Sequence, residues 1–251
     1  MHLNRRHLGL GALGLAAAGL TGRAASAQEA YPGTRTVTIV VSWAAGGSTD
    51  FVGRVMAQAL GRELNGNFVV DNRAGASGTI GHASVARARP DGYTLLLGVN
   101  STYAMSRHLF PNRGYDDDTA FVGIGRIAVS PIMLCVNPRI GVRDIPGLVA
   151  RAKEAPGRMS YASSGAGSSA HLMSETFARR NGMNATHVPY RGAGPAAQDL
   201  AAGVVDFMMA TWASVSALAA DGRIRVLGVG GDQRFPDLPA VPTLREQGYD
   251  Y

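Results

Sequence analysis

The sequence has one cysteine, Cys135, so no disulfide can form within the chain and the fold must stand on its core alone. That cysteine lies in the apolar run Pro131-Ile-Met-Leu-Cys-Val136, the setting of a buried, inert thiol rather than of a nucleophile. Lysine is as scarce, Lys153 being the only one, and every other basic residue is arginine. Charged residues make up 17% of the chain and the formal net charge is +6, with Arg5, Arg6 and Arg23 inside the first 27 residues where no acid offsets them. The remaining charge is too small and too dispersed to attract nucleic acid, and no such partner is expected.

Several chemical signatures are missing as well. No Gly-Lys-Ser/Thr follows a glycine turn, which removes the P-loop, and no Gly-x-Ser-x-Gly elbow marks a hydrolase. Gly165-Ala-Gly167-Ser-Ser-Ala170 fits the dinucleotide pattern, but the following strand ends at His187-Val-Pro-Tyr190 without the required acid. His82, His108, His171 and His187 show no His-x-x-x-His spacing, so neither a metal nor a cofactor is expected and packed or surface histidine is the default. His171, one turn into a helix, could donate to a bound carboxylate or simply pack. Asp116-Asp117-Asp118 lacks the spaced ligands and closing Glu of a calcium loop and reads as a solvated loop.

The first positive feature is at the N-terminus. Arg5-Arg6 precede an apolar run from Leu8 to Leu20, and Ala25-Ser26-Ala27 offers a small-x-small cleavage site, the layout of a secretory signal peptide over 1–27. The run is short of the ~20 residues that span a bilayer. The paired arginines also fit a twin-arginine signal. The mature chain is expected to start at Gln28 and to work outside the cytoplasm.

The organising stretch is Thr36 to Leu64. Thr36 to Ser42 is β-branched almost throughout, as in a strand buried on both faces. Trp43 to Gly47 turns the chain, with Ser48 or Thr49 as the expected N-cap, and Phe51, Val52, Val55, Met56, Ala59 and Leu60 recur as the apolar face of a helix. Free amides at such a turn and the helix macrodipole favour an anion. Glycine often serves there merely to turn, but the unit recurs: a strand over Arg158 to Ser164, the turn Gly165-Ala-Gly167, and a helix from Ser168 with Leu172, Met173, Thr176 and Phe177 inward. Each unit is followed by a strand and a related loop, Asn72-Arg73-Ala-Gly-Ala and Tyr190-Arg191-Gly-Ala-Gly, with Arg73 27 residues after Gly46 and Arg191 26 after Gly165. Two half-sites so arranged suggest two lobes facing one ligand.

Between and after them strand and helix alternate, the rhythm of an α/β fold on a parallel sheet. Strands are expected at Phe68 to Asp71, Tyr93 to Leu97, Phe121 to Val129, Ile132 to Val136, Ala185 to Val188, Asp206 to Ala210 and Arg225 to Val229. Helices are expected at Ser77 to Arg87, after Asp144 through Lys153, at Pro195 to Ala202 and at Ser214 to Ala220. A crossover between lobes fits Ser130-Pro131, and the tail from Gln233 reads as mostly irregular.

Taken in order, Ile-Val-Val-Ser-Trp-Ala-Ala-Gly-Gly-Ser-Thr-Asp50, Val-Asp-Asn72-Arg73-Ala-Gly75-Ala-Ser-Gly78-Thr-Ile-Gly81, Arg89-Pro90-Asp91-Gly92-Tyr93, Tyr161-Ala-Ser-Ser-Gly165-Ala-Gly167-Ser168, His187-Val-Pro-Tyr190-Arg191-Gly192 and Leu238-Pro-Ala-Val-Pro242-Thr243 resemble one family. It is that of the periplasmic substrate-binding proteins of tripartite tricarboxylate transporters, the Bug-type receptors. The resemblance implies a two-lobed Venus-flytrap fold, with lobe 1 over 28–129 and 230–251 and lobe 2 over 130–229. It implies a monomeric, non-enzymatic receptor in the periplasm that captures a small di- or tricarboxylate or aromatic acid and passes it to membrane transporter subunits. The ligand-binding roles fall on Ala45, Gly46, Gly47 and Asp50 in one lobe and Ser163, Ser164, Gly165 and Ser168 in the other, with Tyr190, Arg191 and Gly192 nearby. Ser42-Trp43 replaces the family's usual Pro and Phe or Tyr, so Trp43 is the expected ligand-facing aromatic. The sequence stops where the family continues with a segment returning to the first lobe, so the C-terminal part of that lobe is expected to be missing. The competing class is an α/β enzyme using the same anion cradle, which lacks an assembled nucleophile and base in the sequence.

Overall fold

The computed structural model describes residues 30–249. The expected signal peptide and its cleavage after Ala27 lie outside the described residues. Among those described, no helix is long and apolar enough to cross a membrane.

Two sheets carry the chain. The first is built from β1 (Thr36–Val41), β2 (Asn67–Asn72) and β3 (Thr94–Leu97), all parallel in the order β2-β1-β3. Val37, Ile39, Val40 and Val41 of the central strand are buried, as its β-branched sequence requires. Two helices flank it, α1 (Ser48–Glu63) and α2 (Thr79–Ala86), and a third, α3 (Asn100–Leu109), packs against α2 and the turn before it, Tyr103 lying on His82 and Thr102 Oγ1 donating to the Ser77 carbonyl. Helix α1 reaches the sheet through a glycine: a Cβ on Gly53 would stand 2.9 Å from Val41 Cγ2. That close approach turns the helix from the expected orientation, leaving Phe51 58% and Val55 48% exposed although the apolar period places them inward. Helix α2 begins at Thr79 rather than Ser77, because Ala76 and Ser77 sit at positive φ in a short 3-10 turn. Nothing in the periodicity announced α3.

The second sheet has β4 (Ile132–Val136), β5 (Met159–Ser163), β6 (Ala185–Pro189), β7 (Phe207–Thr211) and β8 (Arg225–Val229) in the order β6-β5-β7-β4-β8. It is mixed rather than wholly parallel, since β4 runs antiparallel to both β7 and β8. Successive residues of β4 feed two cores. Leu134 and Val136 join Tyr161, Phe177 and Phe207 under α4 (Ile145–Glu154) and α5 (Ser169–Arg180). Met133 and Cys135 join Ala162, Leu200, Met208 and Val215 under α6 (Ala193–Ala202) and α7 (Trp212–Ala220). Each fully buried Leu, Met or Phe there contributes about 1.5–3 kcal/mol. Burial pushes the Cys135 thiol up to about 12, which keeps it inert. Asp144 caps α4 as expected, accepting from the Gly147 amide at 2.7 Å.

Three further expectations are corrected. Phe121 to Val129 forms no strand: residues 122–130 are all exposed, with Val122 at 93%, and no partner strand lies beside them among the described residues. Residues 230–249 do not pack with the first sheet but on the second, where Leu244 and Tyr249 join one core, Phe235, Leu238 and Val241 flank the other, and Val229 bridges Thr243. Asp117 is not solvated; its carboxylate, 2% exposed, is ion-paired with Arg113 and Arg107.

Candidate functional site

Both glycine turns open from the carboxyl ends of strands and face each other. After β1, Ser42 and Trp43 are buried and Ala45 and Gly46 are exposed. Gly46 takes φ +82°, where a side chain is strained, and Gly47 caps α1 from extended backbone, so neither Ser48 nor Thr49 is the cap. The Gly46 amide donates to Asp50 Oδ2 at 3.0 Å, and the same oxygen pairs with Arg54 Nε at 3.1 Å. Burial raises the Asp50 pKa, but the bonds from Arg54 and the Gly46 amide outweigh it, so the carboxyl lies below its usual range and is ionised. Asp50 therefore shapes the turn from behind. Asn72 Nδ2 donates to the Trp43 carbonyl at 3.0 Å, and Trp43 is 6% exposed, its indole Nε1 without an acceptor among the described residues.

The second turn is held from behind too. Ser168 caps α5, its Oγ accepting from the His171 amide at 3.2 Å. The amide of Gly165 donates to Ser163 Oγ at 3.1 Å and that of Gly167 to His171 Nδ1 at 3.0 Å. The helix beyond buries Ala170, Ser174, Phe177 and Ala178, whereas Leu172 and Thr176, expected inward, are exposed. Tyr190 turns its hydroxyl inward onto Asp199 Oδ2 at 2.6 Å, and burial, then that carboxylate, push its pKa up to about 12. Arg191 is exposed and makes no ion pair among the described residues.

The turns meet across a seam. The Ala44 amide donates to the Arg191 carbonyl at 3.2 Å, the Ser48 amide to Ser214 Oγ at 3.0 Å, and Ser77 Oγ to the Ala166 carbonyl. A Cβ on Gly165 would lie 3.7 Å from Trp43 Cζ3, and one on Gly192 3.0 Å from the Ala44 nitrogen. The N-terminus of α6 abuts that of α1, the Cβ position of Gly47 being 3.7 Å from the Gly194 nitrogen. Two helix N-termini thus face each other; the first turn of α1 carries the ionised Asp50, whereas those of α5, α6 and α7 contain no acid. The amides of Ala45, Gly47, Ser164 and Ala166 have no acceptor among the described residues.

All twelve residues singled out from the sequence come to these turns. Trp43, Ala45, Gly46, Gly47, Gly165, Arg191 and Gly192 line the seam itself, and Ser164 is half-buried in the second turn next to Gly165. Asp50, Ser163, Ser168 and the Tyr190 hydroxyl are committed to holding it in shape. Sequence reasoning missed Ala193 and Gly194, Ser77, Ser214 and Leu109 of α3, whose Cδ1 would be struck by a Cβ on Gly167, although Gly194 stood within the repeated Gly-Ala-Gly loop. Ser163 Oγ and His187 Nε2, 2.7 Å apart, have the spacing of a nucleophile and its base. The serine is fully buried, however, and its hydroxyl is already engaged with both the amide and the carbonyl of Gly165. No group of three or more acids, cysteines or histidines able to hold a metal ion occurs among the described residues.

The sequence profile of the family described as "Tripartite tricarboxylate transporter family receptor" matches residues 52–251. The "UPF0065 protein in tcbD-tcbE intergenic region" of Pseudomonas sp. (strain P51) is 40% identical over 219 residues, which cover 87% of this chain and 64% of that protein. This chain thus spans a little under two thirds of that relative's length. Among solved structures, "R. palustris Rpa4515 with adipate" superposes with a TM-score of 0.84 at 36% identity, covering 87% of this chain and 73% of that one. "MatC (Rpa3494) from Rhodopseudomonas palustris with bound malate" gives 0.80 at 31% identity, covering 86% and 73%.

Proposed function

Because this chain belongs to the tripartite tricarboxylate transporter receptor family, we propose that it is a periplasmic receptor that holds a small carboxylate between its two turns. The ligand class is a di- or tricarboxylate or an aromatic acid, and the receptor delivers it to the subunits of a tripartite tricarboxylate-type transporter without turning it over. The first sheet belongs to one lobe and the second to the other, and the protein acts as a monomer.

One observation carries this reading. Two strand-turn-helix units face each other with the amides of Ala45, Gly47, Ser164 and Ala166 free of any acceptor among the described residues, at a place where the N-termini of α1 and α6 adjoin. Each helix end bears about half a positive charge, and their juxtaposition favours an anion by roughly 0.3–1 kcal/mol apiece, more where water is excluded. A carboxylate accepting two or more backbone N–H bonds relieves both the repulsion and the unmet donors. Adipate and malate in the similar solved structures support the same ligand class.

The test is thermal unfolding with adipate, malate, citrate and benzoate, each against its methyl ester. An acid at a hundred times its Kd stabilises the fold by ~2.7 kcal/mol, a Tm rise of roughly 5–10 °C for a chain of this size. Equal shifts for acid and ester, or no shift with any acid, would remove carboxylate recognition.

A further inference from the structure

Behind the second turn lies a stack of three rings from three elements. His171 of α5 lies 4.0 Å from His187 of β6 at an interplanar angle of 21°, and Tyr161 of β5 lies 5.0 Å beyond at 20°. The stack is tied to the turn at two points. His171 Nδ1 accepts the Gly167 amide at 3.0 Å. His187 Nε2 stands 2.7 Å from Ser163 Oγ, which accepts the Gly165 amide at 3.1 Å and donates to the Gly165 carbonyl at 3.2 Å. His187 Nε2 thus fixes the orientation of that hydroxyl, donating to it or accepting from it according to its tautomer. A nitrogen that accepts must carry a lone pair, so His171 works only as the neutral ring protonated on Nε2.

We propose that His171 and His187 are positioning residues of the ligand site. As a stacked neutral pair they turn the amides of Gly165 and Gly167 inward, which leaves the alternate amides, those of Ser164 and Ala166, to bind the ligand carboxylate. This rests on the receptor reading above and adds which donors of the second turn make the grip.

The surroundings keep both rings neutral. Burial lowers the pKa of His171, and burial, followed by the neighbouring His171, brings that of His187 down to about 4. Glu175, the carboxylate near the stack among the described residues, binds other groups: Oε2 takes the Tyr161 hydroxyl at 2.5 Å and Oε1 takes Arg179 Nε at 2.5 Å. Its charge raises both imidazole pKa values, but burial outweighs it at each ring.

Two substitutions separate positioning from packing. His171→Phe keeps a stacking ring and removes the acceptor. His171→Asn places an amide oxygen close to where Nδ1 stands and gives up the stack. Calorimetric titration at pH 7.5 with whichever of adipate, malate, citrate and benzoate binds the wild type most tightly gives the readout, alongside hydrogen exchange of the Gly167 amide. The expected result is about tenfold weaker binding and faster Gly167 exchange in the Phe variant, and affinity within threefold of wild type, with Gly167 protected, in the Asn variant. Wild-type affinity in the Phe variant, or equal losses in both, overturns the positioning role while leaving the receptor intact. If the wild type binds none of the four acids, the receptor reading falls and this inference falls with it.

Discussion

The amide of Ser48, at the first residue of α1, donates to Ser214 Oγ in the first turn of α7 at 3.0 Å. The bond joins residues 166 positions apart and runs from one sheet unit to the other. It satisfies an amide that α1 cannot satisfy for itself, because the first four N–H groups of a helix have no partner within it. Ser214 in turn leans on Thr211 Oγ1 at 3.0 Å. Closure of the seam is thus specified by a backbone group and a side chain on opposite sides of it.

Ser214→Ala removes that acceptor only when the seam is closed. A lost hydrogen bond of this kind is worth about 1 kcal/mol, so ligand affinity is expected to fall roughly fivefold while the Tm of the unliganded protein stays unchanged. Titration calorimetry together with a melting curve checks both halves. A fall in Tm without a change in affinity would show that the bond serves folding instead.

Gly194 leaves no room for even a methyl group. A Cβ there would stand 2.6 Å from the Ala45 carbonyl oxygen and 2.9 Å from the Gly46 carbonyl carbon, both of them backbone atoms. Inside α6, however, alanine is the better helix former by about 0.8–1 kcal/mol. Gly194→Ala is therefore expected to leave the Tm of the free protein unchanged or slightly raised and to weaken carboxylate binding by tenfold or more. Few substitutions move the two quantities in opposite directions, and a variant that loses both would place the defect in folding.

Asp50 separates charge from geometry. Asp50→Asn keeps an acceptor for the Gly46 amide and removes a negative charge near an anion site, so binding is expected to be unchanged or up to about threefold tighter. Asp50→Ala frees the turn and is expected to weaken binding about tenfold. Tighter binding in both variants would mean that Asp50 acts on the ligand only as a like charge.

His82 sets a pH limit on stability. It is fully buried against Tyr103, Tyr115 and Phe121, neither ring nitrogen has a partner among the described residues, and burial, partly opposed by Asp117 and aided by Arg113, lowers its pKa to about 4. The folded pKa lies below the unfolded value near 6.5, so the unfolded chain takes up the proton first as the pH drops. Stability is complete above pH 6.5 and is expected to fall by about 3 kcal/mol as the pH is lowered to about 4. His82→Phe should flatten that part of the curve. Urea titrations at pH 7.5, 6, 5 and 4.5 decide it, and an unchanged slope in the variant would assign the acid sensitivity to other groups.

How much of this could be read from the sequence follows from what each signal reports. The β-branched run of β1, the glycine turns and the Asp144 cap are local features with local consequences, and the structure has them where the residues are. The facing of Phe51 and Val55 is not local: periodicity identifies an apolar stripe, but the close contact of Gly53 with Val41 decides which part of it meets the sheet. Phe121 to Val129 has the composition of a strand, yet a strand also needs a neighbour, and the composition of one segment says nothing of that. The same holds for 230–249, where three prolines correctly signalled irregular chain while the partner, the second sheet, was set by Leu244 and Tyr249 finding its core. At the site, the glycines were legible because few other residues fit such turns. The supporting hydrogen bonds of His187 and Ser214 were not, because they join residues that only the fold brings together; that of His171 to the Gly167 amide, four residues away, is local but depends on the ring's rotamer and tautomer.

The exposed run over 122–130 has a consequence of its own. Strands β1 to β3 lie before it in the chain and β4 to β8 after it, so among the described residues it is the one covalent crossing between the two sheets. Extended, uncovered chain is what a protease active site accepts. A single cut there would leave two pieces joined only by the contacts of the seam, with a bound acid bridging them as a splint bridges a fracture.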